Sequence, residues 1–140
     1  MTASVSDFLL ENVESPVKHE QVKFKRFKSP FEIKSLNMKE ISSLRKEATR
    51  RVLNKKTHQY ENDTDQDKFS GLVMERAVVS PSLNNEELQK SYGCIADPSG
   101  LLQTMLTAGE YSELSDRVME ICGLNDDSDD AEVLKDEAKN

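Results

Sequence analysis

A chain of 140 residues is long enough to bury one apolar core without disulfides or bound metals, which favours a single domain. Apolar residues make up 36% of the chain and charged residues 32%, which excludes a fully disordered composition, and no apolar run is long enough for a membrane helix. The net charge of −7 is unevenly distributed, because residues 18–56 carry +9, residues 57–124 carry −8 and residues 125–140 carry −5. This division predicts an internal pairing of basic with acidic surface, a binding face for an acidic partner, or both.

The N-terminal third of the chain predicts one short helix followed by a β-ribbon. Residues 4–13 form the helix, with Ser4 or Ser6 as its N-cap, and Pro16 ends it. Alternating apolar and polar residues then predict two strands between about Gln21 and Ser35. Because two strands alone are only marginally stable, we expect this ribbon to pack on helices or to pair with another chain.

Helical patterns dominate the rest of the chain. Asn37 and Glu40 form a capping-box pair, and the apolar spacing that follows predicts a helix reaching about Lys56. We predict a polar connection over residues 58–66 and a helix from Asp67 to the Ser80-Pro81 dipeptide. Caps and glycines predict three further helices, over residues 86–92, 97–109 and 110–122.

These elements predict a predominantly helical α+β domain over residues 1–124, built from several short helices and a small N-terminal β-ribbon. Residues 125–140 are acidic and poor in apolar side chains, so we predict a disordered, mobile tail there. With no signal peptide and no cysteine framework, we expect a soluble cytoplasmic protein.

No motif of a catalytic, metal or cofactor site is visible, so we expect a protein that is not an enzyme and binds no cofactor. Residues 63–67 open like a calcium loop, but Lys68 and Met74 occupy the positions at which such a loop requires glycine and a bidentate acid. His19 and His58 have no second ligand at a spacing that suits zinc.

Basic residues of the predicted helix and its end form a candidate binding face. They would suit the phosphates of a nucleic acid, although a solvated surface or pairing with the acidic half of the chain is the simpler interpretation. The acidic overall charge and the absence of a recognition motif make nucleic acid the least favoured partner. The residues of this basic face are Lys39, Lys46, Arg50, Arg51 and Lys55.

The densest amphipathic segment covers residues 97–123. Most apolar residues in such a segment belong to a core, yet their number exceeds what two short helices need for one buried face. The surplus predicts a groove for a protein partner. Its candidate residues are Leu101, Leu102, Met105, Leu106, Tyr111, Leu114 and Val118.

The order of residues in this half of the chain resembles the XkdN-like phage tail assembly chaperones of Bacillus-type phages and defective prophages. The N-terminal half also fits this family, through Ser6 to Leu9 and through the run from Phe31 to Leu36 that leads into the basic helix. The resemblance therefore covers nearly the whole chain except its tail. The residues that carry it in the second half are Leu83, Leu88, Gln89, Tyr92, Gly93, Asp97, Pro98, Met105, Leu106, Gly109, Glu110, Tyr111, Leu114 and Val118.

The resemblance implies an assembly factor that acts in the cytoplasm of the bacterial host and is absent from the virion. Its implied partner is the tape-measure protein, which such factors keep soluble until tail-tube subunits polymerise around it. A longer product of the same message, made by programmed ribosomal frameshifting, is a second implied partner, and self-association is compatible with the same role. No membrane is expected as a partner. The alternatives are a structural tail or baseplate component retained in the virion and a nucleic-acid-binding regulator.

Overall fold

The structure, a computed structural model, describes residues 3–124, so the predicted tail lies outside the described residues. It contains helices and antiparallel strands together, which confirms the prediction of a mixed α+β protein. Two 3₁₀ turns, Val5–Phe8 and Leu10–Asn12, replace the helix predicted near the N-terminus. The other elements are β1 His19–Val22, β2 Phe31–Lys34, α1 Met38–Glu47, β3 Thr49–Asn54, β4 Gln59–Thr64, α2 Gln66–Ala77, β5 Val78–Ser80, α3 Glu86–Tyr92, α4 Pro98–Met105 and α5 Ala108–Ile121.

The predicted ribbon is present and is extended by a third strand. β1 and β2 pair antiparallel, from His19 opposite Lys34 to Val22 opposite Phe31, and a loop over residues 23–30 joins them. β5 adds to the other side of β2, also antiparallel. Pairing within the chain therefore supplies the additional strand that a marginal two-stranded ribbon needs.

The prediction of one helix from Asn37 to about Lys56 is wrong in its second half. The capping box of Asn37 with Glu40 is present, but α1 ends at Glu47 and the chain turns directly into β3. Thr49 favours this change, because its hydroxyl donates to the Arg45 carbonyl at 2.6 Å and lies 2.7 Å from the Thr64 hydroxyl across the strand pair.

The polar connection predicted over residues 58–66 is also wrong, because most of it is strand β4. β3 and β4 form a two-stranded hairpin in regular register from Thr49 opposite Thr64 to Asn54 opposite Gln59. The Asn54 side chain accepts from the amide of Lys56 at 2.9 Å, and His58 adopts the left-handed conformation that closes the turn. No glycine marks this turn in the sequence.

Predicted starts of the later helices agree well with the structure, because their caps are local. Asn85 caps α3 and Asp97 caps α4, each through its side-chain oxygen. α4 is shorter than predicted and ends at Met105. Thr107 then forms a capping box with Glu110, so α5 starts before Gly109 rather than after it.

The core is centred on α4 and α5. Leu101, Leu102, Leu114 and Val118 are at most 1% exposed. Of the helices that carry them, α4 packs against α2 and α3, and α5 packs against α2, β1 and β2. None of the buried apolar residues in the described part of the chain belongs to the β3–β4 hairpin. The hairpin therefore projects from the core without contributing to it.

Arg26 fastens the β1–β2 loop to the corner between α4 and α5. Its Nη2 donates to the Met105 carbonyl at 2.7 Å and to Glu110 Oε1 at 2.6 Å, and its Nε lies 3.1 Å from both Glu110 oxygens. The hydrogen bond from Arg26, followed by that from the Thr107 amide, lowers the pKa of Glu110 to about 2. Arg26 and Glu110 together thus link the β1–β2 loop, the end of α4 and the start of α5.

We expect excision of the hairpin to leave the rest of the fold intact. Residues 50–63 are replaced by Asn-Gly, which forms a tight turn between Thr49 and Thr64. Because no core residue is lost, the melting temperature measured by circular dichroism should change by less than about 5 °C. Leu114→Ala serves as the contrast and should cost about 2–5 kcal/mol. Loss of cooperative unfolding in the excised chain would show that the hairpin is structural.

The charge of Glu110 should make stability dependent on acid pH. Its pKa in the folded chain lies below the ordinary value of 4.5, so the ionised form stabilises the fold above about pH 4.5, and this contribution disappears as pH falls towards 2. Glu110→Gln, which keeps a capping side chain, should lower the urea midpoint at pH 7 and approach the wild type between pH 4.5 and 2. Glu113→Gln, at an exposed position on the same helix, is the control. A gap that stays constant over this pH range would contradict the prediction.

Candidate partner-binding surfaces

The residues predicted to form a partner groove fill the core in this fold. Six of the seven are buried, with exposures from 0 to 6%, and burial of the half-buried seventh, Tyr111, raises the pKa of its phenol. The surplus of apolar residues arises because α4 contacts α2 and α3, while α5 contacts α2, α4, β1 and β2. Both helices are covered on more than one side, so they require more than one apolar face. The buried six are Leu101, Leu102, Met105, Leu106, Leu114 and Val118.

The predicted basic residues are all exposed, and they are distributed over a helix, a strand and a turn. Lys39 and Lys46 lie on α1, Arg50 and Arg51 on β3, and Lys55 in the hairpin turn. The two arginines already face groups of the neighbouring strand. Arg50 Nε lies 3.9 Å from Asp63 Oδ2, and the Arg51 guanidinium lies over the Tyr60 ring.

The two faces of the β3–β4 hairpin differ in character. One face, here called the hairpin face, carries Arg51, Leu53 and Tyr60, with the Arg51 guanidinium 4.9 Å from the Tyr60 ring centre. Leu53 is 47% exposed and Tyr60 61%. Neither side chain belongs to the core. The folding of this chain therefore does not explain why the two apolar groups are exposed.

The opposite side of the hairpin is mainly polar. Arg50 Nε lies 3.9 Å from Asp63 Oδ2, and the Asn54 amide donates to Glu61 at 3.0 Å. Val52 is the apolar residue on this side and is 38% exposed. The hairpin face is thus the side suited to an apolar partner, and the polar side provides a natural control surface.

The first residues of the described chain form a second projecting segment. Residues 3–17, here called the N-terminal arm, begin with a capping box between Ser4 and Asp7. The base of the arm is held by Ser35, whose hydroxyl donates to the Pro16 carbonyl at 3.1 Å and accepts from the Lys18 amide at 2.8 Å. The apolar side chains of the arm are 43–77% exposed, and they belong to Val5, Phe8, Leu9, Leu10, Val13 and Val17.

An apolar cleft opens beside the β1–β2 loop. Its volume is about 240 Å³, and the Phe27 ring forms one wall, packed edge-on against Phe31 at 5.1 Å. A neighbouring hollow of about 380 Å³ shares Pro81 and Leu88 with the cleft and continues it along α3. The residues lining the apolar cleft are Phe27, Lys28, Ser29, Pro30, Phe31, Ser80, Pro81, Leu88, Tyr92 and Met105.

The sequence signals for these surfaces were weak for different reasons. The cleft is assembled from four separated segments of the chain, so no local sequence pattern predicts it. The hairpin had one usable signal, because the basic residues 50–56 precede the acidic residues 61–65 at a spacing that suits a hairpin. The sequence predicts a short helix over residues 4–13 of the arm, and the fold alone shows that the apolar side chains there are uncovered.

Two other kinds of site are absent from the part of the chain that the structure describes. Within residues 3–124, no three His, Cys, Asp or Glu side chains are grouped so that they could hold a metal ion. In the same range, no helix has both the length and the apolar character that a membrane crossing requires.

Comparisons with known proteins give a consistent assignment. The sequence model of the phage XkdN-like tail assembly chaperone proteins matches residues 5–139. The chain is 29% identical over 131 residues to the phage-like element PBSX protein XkdN of Bacillus subtilis (strain 168), which covers 93% of this chain and 85% of that protein. The crystal structure of the protein YqbN superposes with a TM-score of 0.70 at 22% identity, covering 88% of this chain and 98% of that one, so the fold is shared. Because the family match extends over almost its full length, this chain belongs to the XkdN-like phage tail assembly chaperone family.

Proposed function

We propose that this chain binds the tape-measure protein of a phage tail and keeps it soluble until tail-tube subunits polymerise around it. The family match over residues 5–139 is the observation that carries the proposal, because it makes the chain a tail assembly chaperone. A chaperone needs a client that is insoluble alone, and the tape-measure protein is the client that the resemblance implies. Binding to a longer frameshift product of the same message stays a prediction.

The hairpin face is the surface that suits the client best. Leu53 and Tyr60 lie opposite each other on the two strands, and both are well exposed. Full burial of such a side chain against a client contributes about 1.5–3 kcal/mol. Arg51, stacked beside Tyr60, adds a charged group that keeps the empty surface hydrated.

The way in which the hairpin is attached to the core suits reversible binding of a client. The hairpin is joined to the core through Thr49 and Thr64 and through the Asp65 amide, which donates to the Ala48 carbonyl at 2.9 Å. A client held by a few side chains on such an element is bound weakly, because association must first offset the lost freedom of both partners. Polymerising tube subunits then displace the chaperone without having to unfold it.

Co-expression with the tape-measure protein encoded nearby tests the client and the surface together. Wild-type chain should raise the soluble fraction of the client and co-purify with it. Leu53→Ala with Tyr60→Ala should reduce both by roughly tenfold, equivalent to about 1.4 kcal/mol of lost binding. The measurements are quantitative immunoblots of soluble and pelleted client and of a pull-down on the chaperone.

The matched control is Val52→Ala with Gln59→Ala, which changes the polar side of the same hairpin. This variant should behave as wild type if the hairpin face is the contact. If both double variants lose client binding and solubilisation equally, the effect belongs to the hairpin as a whole rather than to the hairpin face. A client that stays insoluble beside folded wild-type chain would reject the proposed function.

Particle composition separates a chaperone from a structural component. A chaperone that is displaced during tube polymerisation should be absent from purified tails, at below about one copy per particle by quantitative mass spectrometry. The major tube protein in the same sample calibrates the measurement. Stoichiometric retention of this chain in tails would instead support the structural alternative.

A further inference from the structure

Besides the hairpin face, two apolar features of the described residues are uncovered, the N-terminal arm and the apolar cleft. We propose that the N-terminal arm of one copy of this chain binds in the apolar cleft of a second copy. This interaction involves neither the hairpin face nor a client, so it is independent of the proposed function.

The apolar surfaces of the two features match in size and chemistry. Phe8 is 72% exposed and Leu10 is 77% exposed, so each offers most of its side chain to a partner. A cleft of about 240 Å³ has room for side chains of this kind. Its walls include Pro30, Pro81 and the aromatic rings of Phe27 and Tyr92, which are rigid groups that lose little freedom when they are covered.

Their charges are also complementary. The arm carries three acidic side chains, Asp7, Glu11 and Glu14, and no basic one. The loop over residues 23–28, which borders the cleft, carries four basic side chains and no acidic one. Arg26 is engaged by Glu110, whereas Lys25 and Lys28 are exposed. Opposite charges around an apolar contact steer the partners into register and favour this pairing over others.

The position of the arm explains why the occupant is a second copy. Ser35 fixes the base of the arm at the end of the sheet where His19 pairs with Lys34. The cleft lies at the other end of the same strand pair, beside Phe31. None of the residues of the arm lines the cleft, so the arm as folded leaves the cleft of its own molecule open. A contact between two different surfaces of identical chains is heterologous, and it generates rings or open chains.

Sedimentation equilibrium of the full chain over a range of concentrations tests the proposal. The weight-average mass of the wild type should rise with concentration above the monomer mass of 15.9 kDa. Phe8→Ser with Leu10→Ser should remain at the monomer mass. Met38→Ser with Ile95→Ser removes apolar side chains of similar exposure, 69% and 70%, at positions outside the arm and cleft, and should associate like the wild type.

Charge exchange tests which two surfaces meet. Glu11→Lys with Glu14→Lys, and separately Lys25→Glu with Lys28→Glu, should each weaken association by roughly tenfold. All four changes combined in one chain restore opposite charges and should return the affinity to within about threefold of the wild type. Circular dichroism establishes that every variant is folded.

Mixing complementary variants tests the heterologous geometry. The Phe8→Ser, Leu10→Ser chain keeps its cleft, and a Tyr92→Glu chain keeps its arm. Their mixture should form one-to-one pairs and nothing larger, because one arm and one cleft remain.

Three results would overturn the proposal. They are a wild type that stays monomeric at every concentration, a combined charge exchange that fails to restore association, and a Met38, Ile95 control that loses association as fully as the arm variant. If Tyr92→Glu does not fold, the charge exchange alone decides between the outcomes.

Discussion

Burial of the apolar side chains of α4 and α5 is the interaction on which the rest of this structure depends. Leu101, Leu102, Leu114 and Val118 are almost completely removed from water, and the sheet, α2 and α3 are arranged around them. Hydrophobic burial of this kind supplies most of the free energy that offsets the ordering of the chain. The same burial withdraws this segment from the surface, so the residues with the strongest apolar pattern are unavailable to a partner in the described conformation. The surfaces that remain for binding are the hairpin face, the N-terminal arm and the apolar cleft.

These three surfaces share one property, which is that each leaves apolar side chains exposed to solvent. The hairpin carries apolar side chains that lie outside the core, and so does the arm at the N-terminal side of the sheet. The cleft differs because its shape depends on a specific polar contact. Arg26 holds the β1–β2 loop to the α4–α5 corner through Met105 and Glu110, and Phe27 stands beside it as a wall of the cleft.

Agreement between prediction and structure was best where the signals were local. The Asn37–Glu40 box of α1 is confirmed, and the predicted starts of α3 and α4 agree with the caps found there, because a capping side chain acts within three residues of itself. The hairpin was missed because an apolar spacing of three and four continued from α1 into β3. Thr49 changed the conformation through Thr64, a partner fifteen residues away, and His58 closed the turn without the glycine that marks such turns. Pairing between strands is nonlocal, so it overrode a locally plausible helix.

The sequence by itself determined the mixed α+β class, most helix starts and the resemblance to a chaperone family, since composition, caps and residue order are properties of the chain. The tertiary structure alone decided which apolar residues are core and which are surface. A groove over residues 97–123 and a core over the same residues have the same pattern, and the difference lies in how many neighbouring elements cover α4 and α5. The cleft could not be predicted at all, because its walls come from segments up to seventy-eight residues apart, between Phe27 and Met105. Folding brings these segments together because other residues are buried, and no local periodicity of the sequence predicts which segments will meet.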